Sequence, residues 1–116
     1  MQSIRVGKDI EVRWPILTNG QEIALEGRDL TLFARLPTWA EVRVNFTAED
    51  NVAIFIIPGV EQESTGTYSF TMWENYGKDG QTMVDCCDAF RLVDATCMEG
   101  DVKGLNMGTV ELPPSN

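Results

Sequence analysis

Apolar and polar residues alternate along most of the chain. The alternation has a period of two, which places successive side chains on opposite faces of a β-strand. Turn-forming pairs such as Asn19-Gly20 and Pro58-Gly59 separate the alternating stretches. Several short strands between turns predict an all-β domain. The clearest alternating stretches are residues 10–16, 30–36, 42–46, 68–73 and 84–92.

One predicted strand is apolar throughout instead of alternating. Residues 52–57 read Val-Ala-Ile-Phe-Ile-Ile, between an acidic turn and a Pro-Gly pair. A continuous apolar run of this length is typical of a strand that is covered on both faces. We therefore expect neither face of this strand to be open to solvent.

A more specific pattern surrounds Tyr68. Gly66 supplies a small residue at a sharp turn, Tyr68 follows two positions later, and Phe70 comes next on the same face. This order resembles the corner of immunoglobulin-like domains in which a tyrosine hydroxyl bonds back to upstream backbone. It predicts an immunoglobulin-like antiparallel β-sandwich, with an ordinary aromatic strand after a turn as the alternative. The predicted structural core includes Trp14, Gly66, Tyr68, Phe70 and Phe90.

The chain has 116 residues, the size of one domain. We predict that residues 1–94 form the sandwich and that residues 95–116 form a C-terminal arm or an extra strand. Apolar residues at positions 98, 105, 107, 110 and 112 make the second segment too apolar for a purely solvated tail. It can add a strand to its own sheet or to the exposed edge of a neighbouring subunit.

The chain is acidic, with a formal net charge of -9. Its lysines and arginines are scattered and no two are adjacent, so the basic patch that binds phosphates is missing. Nucleic acid is therefore not expected as a partner, nor is an anionic membrane surface. No stretch approaches the roughly 20 apolar residues of a membrane span, so membrane insertion is not expected.

Histidine is absent from the chain. Without it, Ser-His-Asp and Cys-His nucleophilic sites cannot form, nor can zinc or iron sites that use imidazole. The carboxylates lack the glycine spacing of a calcium loop, and no glycine-rich loop opens a helix that would bind phosphate. We therefore predict a protein that is not an enzyme and that binds no metal and no cofactor.

Three cysteines, Cys86, Cys87 and Cys97, leave their redox state open. The first two are neighbours on a predicted strand, so their side chains are expected to face opposite ways. Small core residues in a protein of a reducing compartment are the simplest interpretation. The alternatives are a disulfide from Cys97 to Cys86 or Cys87, and a metal-binding or catalytic thiol.

Aromatic residues outside the predicted core are the candidates for an interface. Trp73 falls on the strand face opposite Tyr68, and Trp39 and Tyr76 fall in predicted loops. Exposed tryptophan and tyrosine are favoured in contacts with proteins and sugars. The alternative is that they cover a second hydrophobic layer, for example beneath the C-terminal segment. With two apolar residues of that segment, the candidate interface residues are Trp39, Trp73, Tyr76, Leu105 and Met107.

The order of these signals between Ile4 and Val93 resembles a phage domain family. Similar signals mark the N-terminal immunoglobulin-like domain of phage baseplate upper proteins and related domains of phages and prophages of gut bacteria. The residues that carry the resemblance are Gly7 to Asp9 opening a strand with Trp14, the hairpin Thr18-Asn19-Gly20, the stretch Ile23 to Gly27, the corner Gly66-Thr67-Tyr68, and Asp88 to Val93.

The resemblance implies a non-catalytic structural module of a virion or tail appendage. Such a module docks onto neighbouring protein subunits, as a homo-oligomer or within a larger assembly. It would be found in the virion after assembly in the host cytoplasm. The alternative is a bacterial surface or secreted immunoglobulin-like module that binds glycan or protein at the cell surface.

Overall fold

Eleven β-strands form the regular structure of residues 2–62, 64–93 and 107–113, which are the residues that this computed structural model describes. One 3-10 turn, Gly59–Glu61, follows the eighth strand, and these ranges contain no α-helix. The fold is therefore nearly all-β. The strands are β1 Gln2–Arg5, β2 Asp9–Pro15, β3 Leu17–Thr18, β4 Gln21–Glu22, β5 Leu30–Arg35, β6 Glu41–Val44, β7 Thr47–Glu49, β8 Val52–Ile57, β9 Gly66–Glu74, β10 Thr82–Val93 and β11 Met107–Glu111.

The strands form two larger sheets and one hairpin. The five-stranded sheet has the order β1-β10-β9-β5-β6, and the four-stranded sheet has the order β11-β2-β8-β7. The hairpin pairs β3 with β4. The prediction that all strands are antiparallel was wrong, because β1 runs parallel to β10 and β11 runs parallel to β2. Both parallel strands lie at sheet edges, which they reach from distant parts of the chain without a hairpin.

Alternate residues of both sheets meet in one apolar core. Trp14, Phe70 and Phe90 are fully or almost fully buried, as is Tyr68. The ring of Phe70 lies 5.1 Å from that of Phe55 and 6.2 Å from that of Trp14, both in the four-stranded sheet. Within its own sheet, Phe70 stacks near Phe90 at 5.9 Å. The inner faces of the two sheets therefore pack against each other in a sandwich-like arrangement.

Gly66 begins β9 with a backbone that disfavours other residues. Its φ is +130°, and a Cβ at this position would lie 2.8 Å from the Cβ of Pro37. Only glycine combines this φ with so close an approach. The chain can therefore turn sharply into β9, two residues before the buried ring of Tyr68 stacks on Phe90 at 5.2 Å.

The burial of the apolar strand β8 differs from the prediction made from its sequence. Its alternate residues Ala53, Phe55 and Ile57 face the core, whereas the side chain of Ile56 is 48% exposed. The prediction of a strand covered on both faces was therefore wrong. β8 therefore presents Ile56 to solvent on the outer side of the four-stranded sheet.

An arginine clamp fixes the connection before β5 to the end of β9. The Nε and Nη2 atoms of Arg28 donate to the two carboxylate oxygens of Glu74 at 3.1 and 2.9 Å. The Nη1 atom donates to the hydroxyl of Thr18 in the hairpin at 3.0 Å. The hydrogen bond from Arg28 holds the pKa of Glu74 below its ordinary value. Arg28 therefore links the hairpin to the five-stranded sheet, because it bonds to Thr18 and also forms a bidentate salt bridge with Glu74.

The C-terminal strand β11 completes the four-stranded sheet of its own chain. Val110 pairs with Val12 and is fully buried, and Leu112 is also buried. The backbone N–H of Leu112 donates to the carbonyl of Arg13 at 2.9 Å. Val110 and Leu112 therefore contribute core side chains to the domain. Residues 95–106, including Leu105 and Cys97, lie outside the described residues.

Candidate functional site

Aromatic side chains gather on the outer surface of the five-stranded sheet. The ring of Tyr76 lies 4.9 Å from that of Phe33 and 5.9 Å from that of Trp73. The contact between Phe33 and Tyr76 is edge-to-face, the arrangement that aromatic quadrupoles favour. The outer surface that carries these three rings, with Trp39 at one end, is named the aromatic face.

Strand alternation places the rings of Phe33 and Trp73 on this surface. Phe33 lies between the buried residues Leu32 and Ala34 of β5, and Trp73 follows the buried Met72 of β9. Both side chains therefore point away from the core. Tyr76 reaches the same surface from the turn after β9, where Asn75 has a φ of 56° and bonds to the Asp29 carbonyl at 2.9 Å.

Two arginines lie over aromatic rings on the aromatic face. The guanidinium carbon of Arg43 lies 5.8 Å from the ring centre of Phe33, and that of Arg35 lies 5.8 Å from the ring centre of Trp39. Arg35 also forms an ion pair with Glu41 at 3.6 Å. Both arginine contacts have cation–π geometry, so the positive charge is held beside the rings without being neutralised by them.

Trp39 is the most exposed aromatic residue of this surface. Its side chain is 78% exposed and its φ is 73°, in the short turn between β5 and β6. A bulky residue with positive φ is uncommon and costs conformational energy. The turn nevertheless holds it through the bond from its N–H to the carbonyl of Leu36 at 2.9 Å. Trp39 therefore extends the aromatic face at the β5–β6 end.

Sulfur-containing residues border the other side of the aromatic face. Met83 pairs with Trp73 across β9 and β10 and is 47% exposed. Cys86 pairs with Thr71, and it forms a disulfide with its neighbour Cys87. The prediction of opposed cysteine side chains was wrong. Regular alternation fails here because Cys87 has a φ of 79° and the register of β10 shifts between Cys86 and Ala89.

Reduction of the Cys86–Cys87 disulfide is expected to change the melting temperature only slightly, by no more than about 2 °C. A disulfide between adjacent residues closes almost no loop, so it removes little entropy from the unfolded chain. Melting curves with and without reductant check this, and alkylation followed by mass spectrometry should count two additional thiols after reduction. A fall of many degrees, or an unchanged thiol count, would contradict the pairing.

The aromatic face brings together three of the five residues predicted as an interface. Trp39, Trp73 and Tyr76 all lie on it. Met107 begins β11 and pairs with Asp9, in the other sheet, and Leu105 lies outside the described residues. Sequence reasoning missed Phe33 and Arg43 as members. The available signal was an aromatic residue at a polar position of an alternating strand.

The described part of the chain also holds two surface clefts and one buried carboxylate. Two clefts of about 400 and 370 Å³ lie near β6 and β8, and each is lined by a single carboxylate, Glu11 or Glu61. The buried Asp85 accepts bonds from the backbone N–H groups of Leu17 at 3.2 Å and Cys86 at 2.9 Å, so it joins β3 to β10. Within the described ranges, no group of three or more Cys, Asp or Glu side chains could hold a metal ion.

The described residues contain no helix that is long and apolar enough to cross a bilayer.

Comparisons with known proteins leave the family open. No protein-family model matches the chain, and no curated protein or solved structure matches it significantly. Function must therefore be inferred from the aromatic face itself.

Proposed function

We propose that the chain is a non-catalytic docking module that binds a neighbouring protein subunit through its aromatic face. The observation that carries the proposal is the cluster of Phe33, Trp73 and Tyr76 beside the ring-stacked Arg43. Aromatic residues, methionine and arginine are the residue types enriched at protein interfaces. Such anchors, grouped at the centre of a patch, supply most of the binding energy.

We further propose that the fold is an immunoglobulin-like sandwich. The order β10-β9-β5-β6 corresponds to a G-F-C-C′ sheet, and β2-β8-β7 corresponds to a B-E-D sheet. The buried Tyr68, two residues after Gly66, occupies the position of the corner tyrosine. In this correspondence β11 takes the place beside β2 that the first strand usually occupies. A solved structure with a different strand order would overturn this proposal.

The setting we propose is a phage virion or tail appendage. It is supported by the sequence resemblance to the baseplate upper-protein domain, which concerns residues 4–93. A docking module on a ring of subunits needs an exposed, rigid surface, and a sheet face provides one. The alternative is a bacterial surface module that binds glycan, which the 78% exposed ring of Trp39 favours because sugars stack on open aromatic rings.

Binding to neighbouring gene products tests the docking function. The proteins encoded beside this chain are purified and their binding to it is measured by interferometry. The double variant Trp73→Ser, Tyr76→Ser is expected to weaken the binding of the partner at least about tenfold, because it removes two central anchors. Val60→Ser serves as the matched control, since Val60 is 94% exposed and lies in the 3-10 turn, not on a strand of the aromatic face.

Two results would contradict the docking proposal. Equal binding by the double variant and the parent would show that the aromatic face is not the contact surface. Binding to a glycan array, lost in Trp39→Ser, together with no binding to any neighbouring protein, would favour the alternative function. Melting curves of all variants establish that each one remains folded.

A further inference from the structure

We propose that the neighbouring subunit is a second copy of this chain, whose four-stranded sheet packs its outer surface against the aromatic face. This inference rests on the proposed docking function and adds the identity of the partner. The outer surface of the four-stranded sheet, formed by outward residues of β2, β7, β8 and β11, is named the acidic face. The two faces are opposite in charge and both carry exposed apolar residues.

The aromatic face is positive although the chain is acidic. Its strands β5, β6, β9 and β10 present three arginines outward, against one described carboxylate, Glu41. The described outward side chains of these four strands therefore carry a net charge of +2, in a chain whose total is -9. The positive charge therefore concentrates where the aromatic rings lie. The three arginines are Arg35, Arg43 and Arg91.

The acidic face carries the opposite charge. Four carboxylates point outward from β2, β7 and β11, those of Asp9, Glu11, Glu49 and Glu111, and one arginine, Arg13, lies among them. Arg13 pairs with Glu49 at 3.3 Å and with Glu11 at 3.7 Å, and the five charged residues together leave a net charge of -3. The register places Glu111 opposite Arg13 on the same surface. Charge complementarity of this kind orients two partners and raises the rate of association.

Apolar residues lie at the centre of both faces. On the acidic face, Ile54 and Ile56 point outward from β8, and Ile56 is open to solvent. The rings of Phe33 and Tyr76 offer a surface on which such aliphatic side chains pack. Four strands about 4.8 Å apart give the aromatic face an area on the order of 500 Å² on each partner, at the lower end for a specific interface. We therefore expect a weak contact in solution that is strengthened by repetition in an assembly.

Contact between two aromatic faces is less favourable, because it would bring the arginines of both copies together. A contact between unlike faces is heterologous, so each copy keeps one free aromatic face and one free acidic face. Further copies can then add in the same way. Repeated contacts of this kind build a closed ring when the rotation between successive copies brings the last copy back to the first. Otherwise they build an open stack.

Charge reversal on each face separately tests this contact. The first variant, Arg43→Glu with Arg91→Glu, changes the aromatic face from +2 to -2 and leaves the acidic face unchanged. The second, Glu11→Lys with Glu111→Lys, changes the acidic face from -3 to +1 and leaves the aromatic face unchanged. In either variant alone the two faces have the same sign. In a mixture of the two variants, the aromatic face of either variant and the acidic face of the other variant have opposite charges.

Sedimentation velocity of the full chain over a wide concentration range gives the result. The parent is expected to self-associate, each variant alone to associate at least about tenfold more weakly, and the equimolar mixture to recover association. A parent that stays monomeric at all concentrations overturns the inference. So does a second variant that still associates alone, since that result indicates contact between aromatic faces.

The docking function is judged separately from self-association. If the parent is monomeric and yet binds a neighbouring gene product through Trp73 and Tyr76, the docking function holds and the second-copy inference fails. If the parent self-associates but neither the charge variants nor the Trp73→Ser, Tyr76→Ser variant changes the association, self-association uses another surface and the second-copy inference fails. The docking function fails only if the Trp73→Ser, Tyr76→Ser variant binds the neighbouring gene product as well as the parent does.

Discussion

Phe70→Ala is expected to lower the free energy of unfolding by about 3–5 kcal/mol, the usual cost of removing a buried aromatic ring. The ring is 1% exposed and contacts Phe55 and Trp14 across the two sheets and Phe90 within its own sheet. Removing it leaves a cavity that neighbours on two separate sheets cannot fill without moving backbone. Urea unfolding curves followed by tryptophan fluorescence measure the change.

Phe33→Ala is the matched control for this experiment. It removes the same side chain from the neighbouring strand β5, but from the outer surface, where the ring is only partly buried. We expect it to cost about 1 kcal/mol, since most of the lost contact is replaced by water and not by a cavity. A Phe70→Ala variant as stable as Phe33→Ala would contradict a core shared by the two sheets.

Gly59→Ala is expected to destabilise the protein by about 3 kcal/mol or more, at the upper end for overpacking. A Cβ at this position would lie 2.7 Å from the carbonyl carbon of Gly7 and 2.9 Å from that of Lys8. These atoms are backbone, so no side-chain rotation can relieve the clash. The N–H of Gly59 also donates to the carboxylate of Asp9 at 2.8 Å, so the segment cannot simply move away.

The side chain of Gln62 strengthens this junction between the turn after β1 and the 3-10 turn. Its amide nitrogen donates to the carbonyl of Lys8 at 2.6 Å, and its amide oxygen accepts from the N–H of Gly7 at 2.7 Å. The control is Gly77→Ala, where φ is +75° and a Cβ would meet nothing. Its expected cost is about 1 kcal/mol, from conformational strain alone. Thermal melts that show equal effects for both variants would contradict the close approach at Gly59.

Local patterning predicted the strands and most of the core. Trp14 and Tyr68 lie at apolar positions of clear alternation, and a period of two assigns such residues to one face without reference to the rest of the fold. The same rule placed Trp73 on the opposite face of its strand. It could also have singled out Phe33, because an aromatic residue at a polar position carries the same signal.

Alternation failed where the backbone departs from a regular strand. At Cys86 and Cys87, adjacent side chains are brought together by a positive φ and a register shift, neither of which leaves a mark in hydrophobic patterning. The apolar run of β8 was misread for a different reason. A run of isoleucine and phenylalanine shows that a strand is hydrophobic, but it does not show what lies over its outer side.

The sequence by itself determined the all-β class, the positions of the long strands and the inward set of aromatic residues, because these follow from interactions between near neighbours along the chain. Only the tertiary structure decided that β1 and β11 pair in parallel at the edges of two different sheets, that Trp39, Trp73 and Tyr76 share one face, and that scattered charges sort into a positive and a negative surface. Those properties depend on which distant strands become neighbours, and strand pairing is set by the packing of the whole core and not by any local pattern.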